Sequence, residues 1–173
     1  FDDPVQKELH ALYVRESVCL EEGHLESVCA AAAKARIAVV LGVAERPRER
    51  GGHSLFCSRA YIADEGRIGS VHRKLMPTYE ERLCWGIGDG AGLVTHRVGE
   101  FTLGALNCWE NWMPLARASL YAQAMDLHVM ILPGRDANTR QSTPFVAVED
   151  RTFAVPASAL LRDEDIPRDF PQR

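Results

Sequence analysis

The stretch that decides the fold reads TLGALNCWENWMP and covers residues 102–114. Its first half is largely apolar and carries no charge, which is typical of a strand covered on both faces. Pro114 then favours the first turn of a helix, where its missing N–H leaves no bond unmade. Cys108 therefore lies where a buried strand meets a helix, and free backbone N–H groups at such a junction stabilise a thiolate or an oxyanion. The ordinary alternative is a buried structural cysteine, and position alone favours it.

Strands and helices alternate on both sides of this junction, as expected for an α/β layered domain. The predicted strands cover residues 37–44, 54–63, 68–73, 102–107, 128–132 and 154–157. The predicted helices cover residues 22–36, 114–125 and 145–153, and the first 20 residues are predicted to be helical as well. Residues 75–93 are expected to be irregular, and residues 163–173 to form a charged surface loop.

Composition narrows the class of protein. The 173 residues fit a single domain over 1–173, and 20 basic against 24 acidic side chains give a net charge of −4, which disfavours nucleic acid as a partner. The sequence contains no apolar run near the ~18 residues that cross a bilayer and no secretion signal at its start. Five cysteines without a Cys-x-x-Cys pair and six scattered histidines predict a reduced, cytoplasmic protein with no metal and no cofactor.

A second stretch, residues 72–90, reads HRKLMPTYEERLCWGIGDG. A lysine is normally a solvated charge, but Lys74 ends a predicted strand and is followed by apolar residues that could bury it. A carboxylate such as Glu81, seven residues later, could then fold back to pair with the ammonium. Glu110, two residues after Cys108, is expected only to cap the helix or to form a salt bridge there.

The glycines at positions 86, 88, 90 and 92 do not form a nucleotide-binding loop. They do not join a strand to a helix at the required spacing, and no Gly-Lys-Ser/Thr follows them. The sequence also lacks the Gly-x-Ser-x-Gly elbow of the α/β-hydrolases.

Together, residues 72–90 and the segment NCWENWMPLAR (107–117) resemble the lysine and nucleophile segments of the nitrilase superfamily. The 34-residue separation of Lys74 and Cys108 also fits that family. The Leu-Met-Pro-Thr and Cys-Trp-Glu-Asn strings are most similar to the branch that acts on nitriles and cyanide. The resemblance extends from about residue 22 to residue 167.

This resemblance implies an α-β-β-α sandwich and a thiol hydrolase that converts a small-molecule nitrile and water to a carboxylic acid and ammonia. It implies that Cys108 is the nucleophile, that Lys74 stabilises the intermediate and that Glu81 orients the lysine. The backbone N–H of Trp109 would bind the oxyanion or imide nitrogen. An amidase, a carbamoylase or a cyanide-hydrating relative is the enzyme alternative.

The sequence departs from the family pattern at the general base. The family's first glutamate lies upstream in a Pro-Glu context, and nothing in residues 1–23 matches it. The opening strands and the part after residue 167 are also without a match, so we expect a partial copy of the domain. Two alternatives remain: Glu81 serves as the base, or the chain is an assembly module without catalysis. Residues 149–153 (EDRTF) match the family's Glu-Gly-Arg-Cys-Phe only in part.

The resemblance also implies a homodimer or a larger spiral. A stripe along the helix after Cys108 is expected to contribute to that interface or, alternatively, to pack on its own sheet. The stripe consists of Leu115, Ala118, Ala122 and Met125.

Overall fold

The computed structural model describes residues 3–134 and 136–170, without the side chains of 136–138. Within them the chain forms four α-helices and seven strands. The helices are α1 (Pro4–Glu16), α2 (Glu26–Ala35), α3 (Pro114–Tyr121) and α4 (Asp136–Glu149). The strands are β1 (Val39–Glu45), β2 (Phe56–Ile62), β3 (Ile68–Arg73), β4 (His96–Val98), β5 (Phe101–Asn107), β6 (Leu127–Ile131) and β7 (Phe153–Ala157).

The strands form two sheets. The first has the order β1-β2-β3 with antiparallel neighbours, and the second has the order β4-β5-β6-β7. In the second sheet β4 is antiparallel to β5, whereas β5, β6 and β7 are parallel. Helices α3 and α4 connect these parallel strands, because a parallel pair needs a long crossover.

The two sheets pack face to face through apolar side chains. Tyr61 of β2 and Leu103 of β5 belong to one cluster, which Val40 of β1 and Val129 of β6 extend. On the other face of the second sheet, Leu106 packs against α3, and α4 contributes a buried valine to a separate cluster. This arrangement confirms the predicted α/β class and its paired sheets.

Most predicted elements agree with the structure. Strand β3 coincides with its prediction, and the other predicted strands are correct to within two residues at each end. Helix α1 confirms the helical opening; it begins after Asp3, whose side chain accepts a hydrogen bond from the Val5 N–H at 2.8 Å. The irregular segment after β3 is confirmed as well, with one short 3₁₀ turn over Tyr79–Leu83.

Two predicted helices begin at the wrong residue, and one strand was not predicted. Helix α4 begins at Asp136 rather than 145, because its first turns are polar and carry no apolar period. Helix α2 begins at Glu26 rather than 22, because a preceding turn ends at Gly23 in the left-handed region. Strand β4 was not predicted; its three residues pair only with β5 and are too few to show an alternating pattern.

The predicted stripe on the helix after Cys108 is also wrong as a description of the core. Ala116 and Leu120 are the buried apolar residues of α3, and Met125, which lies beyond the end of the helix, packs with them. Leu115 is 85% exposed, and Ala118 is exposed too. The helix ends at residue 121, so a helical period that continues to residue 125 does not describe its buried face.

The glycine-rich loop lies directly against the backbone of β3. The Gly88 N–H donates to the Lys74 carbonyl at 2.9 Å, and a Cβ at Gly88 would lie 2.1 Å from the Arg73 carbonyl oxygen. At Gly92 a Cβ would lie 2.3 Å from the Val71 carbonyl oxygen. These glycines therefore permit close backbone approach next to Lys74.

We predict that Gly88→Ala lowers the free energy of unfolding by about 2 kcal/mol or more, because rigid backbone must move to admit the methyl group. Gly42→Ala is the matched control, since its Cβ would meet only the Ile131 side chain at 3.6 Å. Denaturant unfolding of both variants measures the difference. Equal stability of the two variants would contradict the close approach.

Candidate active site

A cavity of about 290 Å³ lies where residues of both sheets meet, and Lys74, Glu81 and Cys108 all line it. Lys74 follows β3 of the first sheet, whereas Cys108 follows β5 of the second. The rest of the lining comes mainly from β1, β2 and the segment after β6. The fold thus brings together three residues that the sequence analysis singled out.

Cys108 has a strained backbone. Its φ is +51°, a left-handed value that residues other than glycine rarely adopt. A single 3₁₀ turn over Cys108–Trp112 follows. The Asn111 side chain donates to the Cys108 carbonyl at 2.9 Å, and the buried His128 Nε2 lies 2.8 Å from the Asn111 Oδ1. Burial lowers the pKa of His128 to about 4, so its ring is neutral.

A buried arginine of α3 stabilises the turn that follows Cys108. Arg117 of α3 donates from Nη1 to the Asn111 carbonyl at 3.0 Å. Its other two nitrogens donate to Glu149 of α4 at 2.5 and 3.0 Å. Because both helices pack on the second sheet, this ion pair fixes the turn that presents Cys108. The partial match at 149–153 therefore includes a residue, Glu149, that stabilises the turn after Cys108 through Arg117.

Lys74 is 1% exposed. Its Nζ lies 2.5 Å from Glu81 Oε2 and 3.3 Å from Thr78 Oγ1. The Thr78 N–H also donates to Glu81 Oε2, at 2.6 Å. A buried ammonium is tolerated only when paired, so this contact allows Lys74 to remain charged beside the cavity.

The Cys108 thiol is more basic than the sequence analysis implied. Burial raises the pKa of Cys108, and the nearby Lys74 charge and the Trp109 backbone N–H offset only part of that rise. Burial therefore opposes the thiolate that the helix start and the ammonium favour. The thiol needs a base to remove its proton before it reacts.

Two other residues, Cys57 and Trp109, lie near Cys108. Cys57 lines the same cavity, but burial raises the pKa of its thiol to about 12, so it stays protonated at neutral pH. The indole of Trp109 is half exposed, and the backbone N–H of this residue lowers the pKa of the Cys108 thiol. Over the described parts of the chain, no three metal-ligating side chains come together.

Glu110 does more than cap the turn after Cys108. It is fully buried and accepts hydrogen bonds from Asn107 N–H, Leu75 N–H and His72 Nε2. The contacts to residues 72 and 75 join parts of the chain more than 30 residues apart. No local spacing in the sequence signals such a bridge, and the sequence analysis missed it.

With this geometry established, comparison with known proteins identifies the family. The family model described as carbon-nitrogen hydrolase matches residues 7–164, and the chain belongs to that family. It is 33% identical over 170 residues to an aliphatic nitrilase from Sinorhizobium fredii. This match covers 98% of this chain and 54% of that protein. It is 32% identical over 163 residues to the bifunctional nitrilase/nitrile hydratase NIT4B of Lupinus angustifolius. This match covers 93% of this chain and 45% of that protein.

Solved structures agree on the fold. An amidase from Nesterenkonia sp. superposes with a TM-score of 0.62 at 16% identity, over 76% of this chain and 50% of that one. The chain spans about half the length of the relatives that it matches. The predicted nitrilase-type fold is confirmed. None of the helices in the described ranges is long and apolar enough to cross a membrane.

We predict that Lys74→Met raises the Cys108 thiol pKa by about one unit, because an opposite charge nearby favours the thiolate. The pH dependence of iodoacetamide labelling, read on the Cys108 peptide by mass spectrometry, measures this pKa. Lys34→Met removes an exposed lysine of α2 and serves as the control. An unchanged pKa in Lys74→Met would show that the ammonium does not face the thiol.

Proposed function

We propose that this chain carries the catalytic centre of a nitrilase, which hydrolyses a nitrile to a carboxylic acid and ammonia. The proposal rests on one observation. Cys108 lines the same cavity as Lys74, which is buried and paired with Glu81. A nucleophile and a desolvated cation that face one small cavity suit a reaction in which negative charge develops on nitrogen. The similarity to named nitrilases supports the choice of substrate class.

In the first half of the reaction, the Cys108 sulfur attacks the nitrile carbon and a C–S bond forms. Negative charge develops on the nitrile nitrogen, where the Lys74 ammonium and the Trp109 N–H stabilise it. Protonation of that nitrogen gives a thioimidate. Because both groups are fixed before the substrate arrives, little reorganisation is needed at the transition state.

In the second half, water adds to the thioimidate carbon and ammonia leaves, which gives a thioester. A second water then releases the carboxylic acid and restores the thiol. Each water must lose a proton, so both steps require a general base. Of the carboxylates in the described ranges, Glu81 is the one that lines the cavity.

Glu81 is an imperfect base in this arrangement. Its Oε2 already accepts from both Lys74 and the Thr78 N–H, so proton transfer to that oxygen would weaken the lysine's position. We propose that Glu81 orients Lys74 and that the family's upstream glutamate, which has no match in these 173 residues, supplies the base. The alternatives remain Glu81 as the base and a binding module without catalysis.

A second enzymatic function has some support. The Lupinus angustifolius relative is named as a nitrile hydratase as well as a nitrilase, and a structural neighbour is named as an amidase. If ammonia leaves before the thiol is expelled, the product is the acid; if the thiol leaves first, the product is the amide. Measuring acid and amide products from a nitrile panel separates the two.

We predict that Cys108→Ala abolishes ammonia release from a nitrile while the protein remains folded. Lys74→Met is expected to lose about 3 kcal/mol or more of transition-state stabilisation, roughly 100-fold in kcat. Cys57→Ala is the matched control, because it removes a protonated thiol from the same cavity. Where the parent releases ammonia, equally fast release from Cys108→Ala would exclude this cysteine as the nucleophile.

For Glu81, we predict a milder loss. Glu81→Gln keeps the side-chain length and can still accept from Lys74, so kcat should fall less than in Lys74→Met. Glu80→Gln, at the exposed neighbouring carboxylate, should leave kcat unchanged. A loss in Glu81→Gln as large as that in Lys74→Met would instead make Glu81 the base.

We also propose a homodimer or larger spiral in the cytoplasm. All five cysteines are free thiols, which suits a reducing compartment. The exposed leucine and alanine side chains of α3 give this helix an apolar surface that a second copy could cover.

Leu115→Glu is therefore predicted to shift light scattering towards the monomer, because a charge would be buried at the interface. Leu160→Glu replaces another exposed leucine, outside the helices, and should leave the mass unchanged. A parent chain that is a monomer at micromolar concentration would contradict the proposed assembly.

A further inference from the structure

The buried carboxylate of Glu110 lies between the two segments that carry the reacting groups. Its Oε1 accepts from the Leu75 N–H at 2.8 Å and from His72 Nε2 at 2.9 Å. Its Oε2 accepts from the Asn107 N–H at 3.0 Å. Leu75 follows Lys74 directly, and Asn107 precedes Cys108, so one carboxylate binds the backbone next to each group.

This bridge has a mechanical consequence. Lys74 and Cys108 come from different sheets, and the contact between the sheets is largely apolar. Apolar contacts have little directional preference, so they do not fix the offset of one sheet against the other. Hydrogen bonds that one rigid carboxylate accepts from both segments do fix it, and displacements near 1 Å cost a reaction about 100-fold.

The bridge requires the ionised form of Glu110. Burial alone would raise its pKa, but the His72 ring and the two backbone N–H groups outweigh burial, and the pKa is lowered. Arg59, which is buried in β2 and donates to the Gly92 carbonyl, adds positive charge nearby. A carboxylate can accept all of these hydrogen bonds, whereas an amide would set an NH₂ group against one N–H donor.

We propose that Glu110 is a positioning residue, which holds the Lys74 ammonium at its working distance from the Cys108 sulfur by binding the backbone of both segments. This role deepens the proposed function, since it acts on the same two groups. Glu110 does not line the cavity, so it acts on the two reacting groups through the backbone beside them.

The thiol pKa of Cys108 tests this role because the two possible effects of Glu110→Gln have opposite signs. Removing the negative charge of Glu110 favours the thiolate and lowers the Cys108 pKa. Letting Lys74 move away disfavours the thiolate and raises it. Iodoacetamide labelling of the Cys108 peptide against pH therefore distinguishes position from simple charge.

We expect Glu110→Gln to raise the Cys108 pKa by about half a unit or more in the parent and to lower it in the Lys74→Met background. The same lowering in both backgrounds would overturn the proposal. Asp126→Asn is the control: this carboxylate accepts the Thr102 N–H at 2.6 Å at the far end of β5, and its loss should leave the pKa unchanged.

Glu110→Asp keeps the proposal testable if Glu110→Gln does not fold. Aspartate retains the charge but is one methylene shorter, so it cannot reach both segments, and any rise in the Cys108 pKa then reports displacement alone. An unchanged pKa in a folded Glu110→Asp variant would overturn the proposal.

The labelling assay needs no turnover, so the two proposals can fail separately. A raised pKa in a chain whose Cys108 forms no adduct with a nitrile supports the positioning role and counts against the proposed function. In an active chain, we expect Glu110→Asp to lower kcat about 10-fold or more, with KM little changed. If the chain is active and Glu110→Asp changes neither kcat nor the thiol pKa, the positioning role alone is overturned.

Discussion

The burial of one ammonium constrains the whole site. Lys74 is almost entirely removed from water, and an unpaired charge there would cost several kcal/mol. Glu81 offsets that cost, because the short 3₁₀ turn over Tyr79–Leu83 brings its carboxylate to the ammonium. The glycine loop lies against the same strand end, because bulkier residues could not approach the β3 backbone so closely. The sequence around Lys74 therefore serves to keep a charge where water cannot screen it.

The second sheet places Cys108, the proposed nucleophile, on the same cavity as this charge. Cys108 adopts a positive φ directly after β5, and contacts from α3, α4 and β6 hold that strained turn through Asn111. Burial keeps its thiol protonated, so the site has a fixed cation and a latent nucleophile rather than a preformed thiolate. This explains why an upstream carboxylate matters to the account.

Sequence reasoning was most successful where a pattern is local. Strand β3 was predicted to the residue as the return strand after a tight turn, and the resemblance indicated Lys74, Glu81 and Cys108. The beginning of α4 at Asp136 could not be predicted, since a polar helix without an apolar period leaves no such signal. The bridge through Glu110 depends on three-dimensional packing between distant segments. The raised thiol pKa depends on burial, which the strand-to-helix junction does not reveal.

The central claim is that the Cys108 thiol attacks a nitrile with help from Lys74. The most direct measurement is acid-quenched peptide mapping of the parent chain after incubation with an aliphatic nitrile, beside Lys74→Met treated in the same way. The account predicts a mass increase equal to that of the nitrile, or of the derived acyl group, on the Cys108 peptide of the parent and a much smaller yield in Lys74→Met. An unmodified Cys108 in a folded parent chain, or equal yields in both proteins, would contradict it.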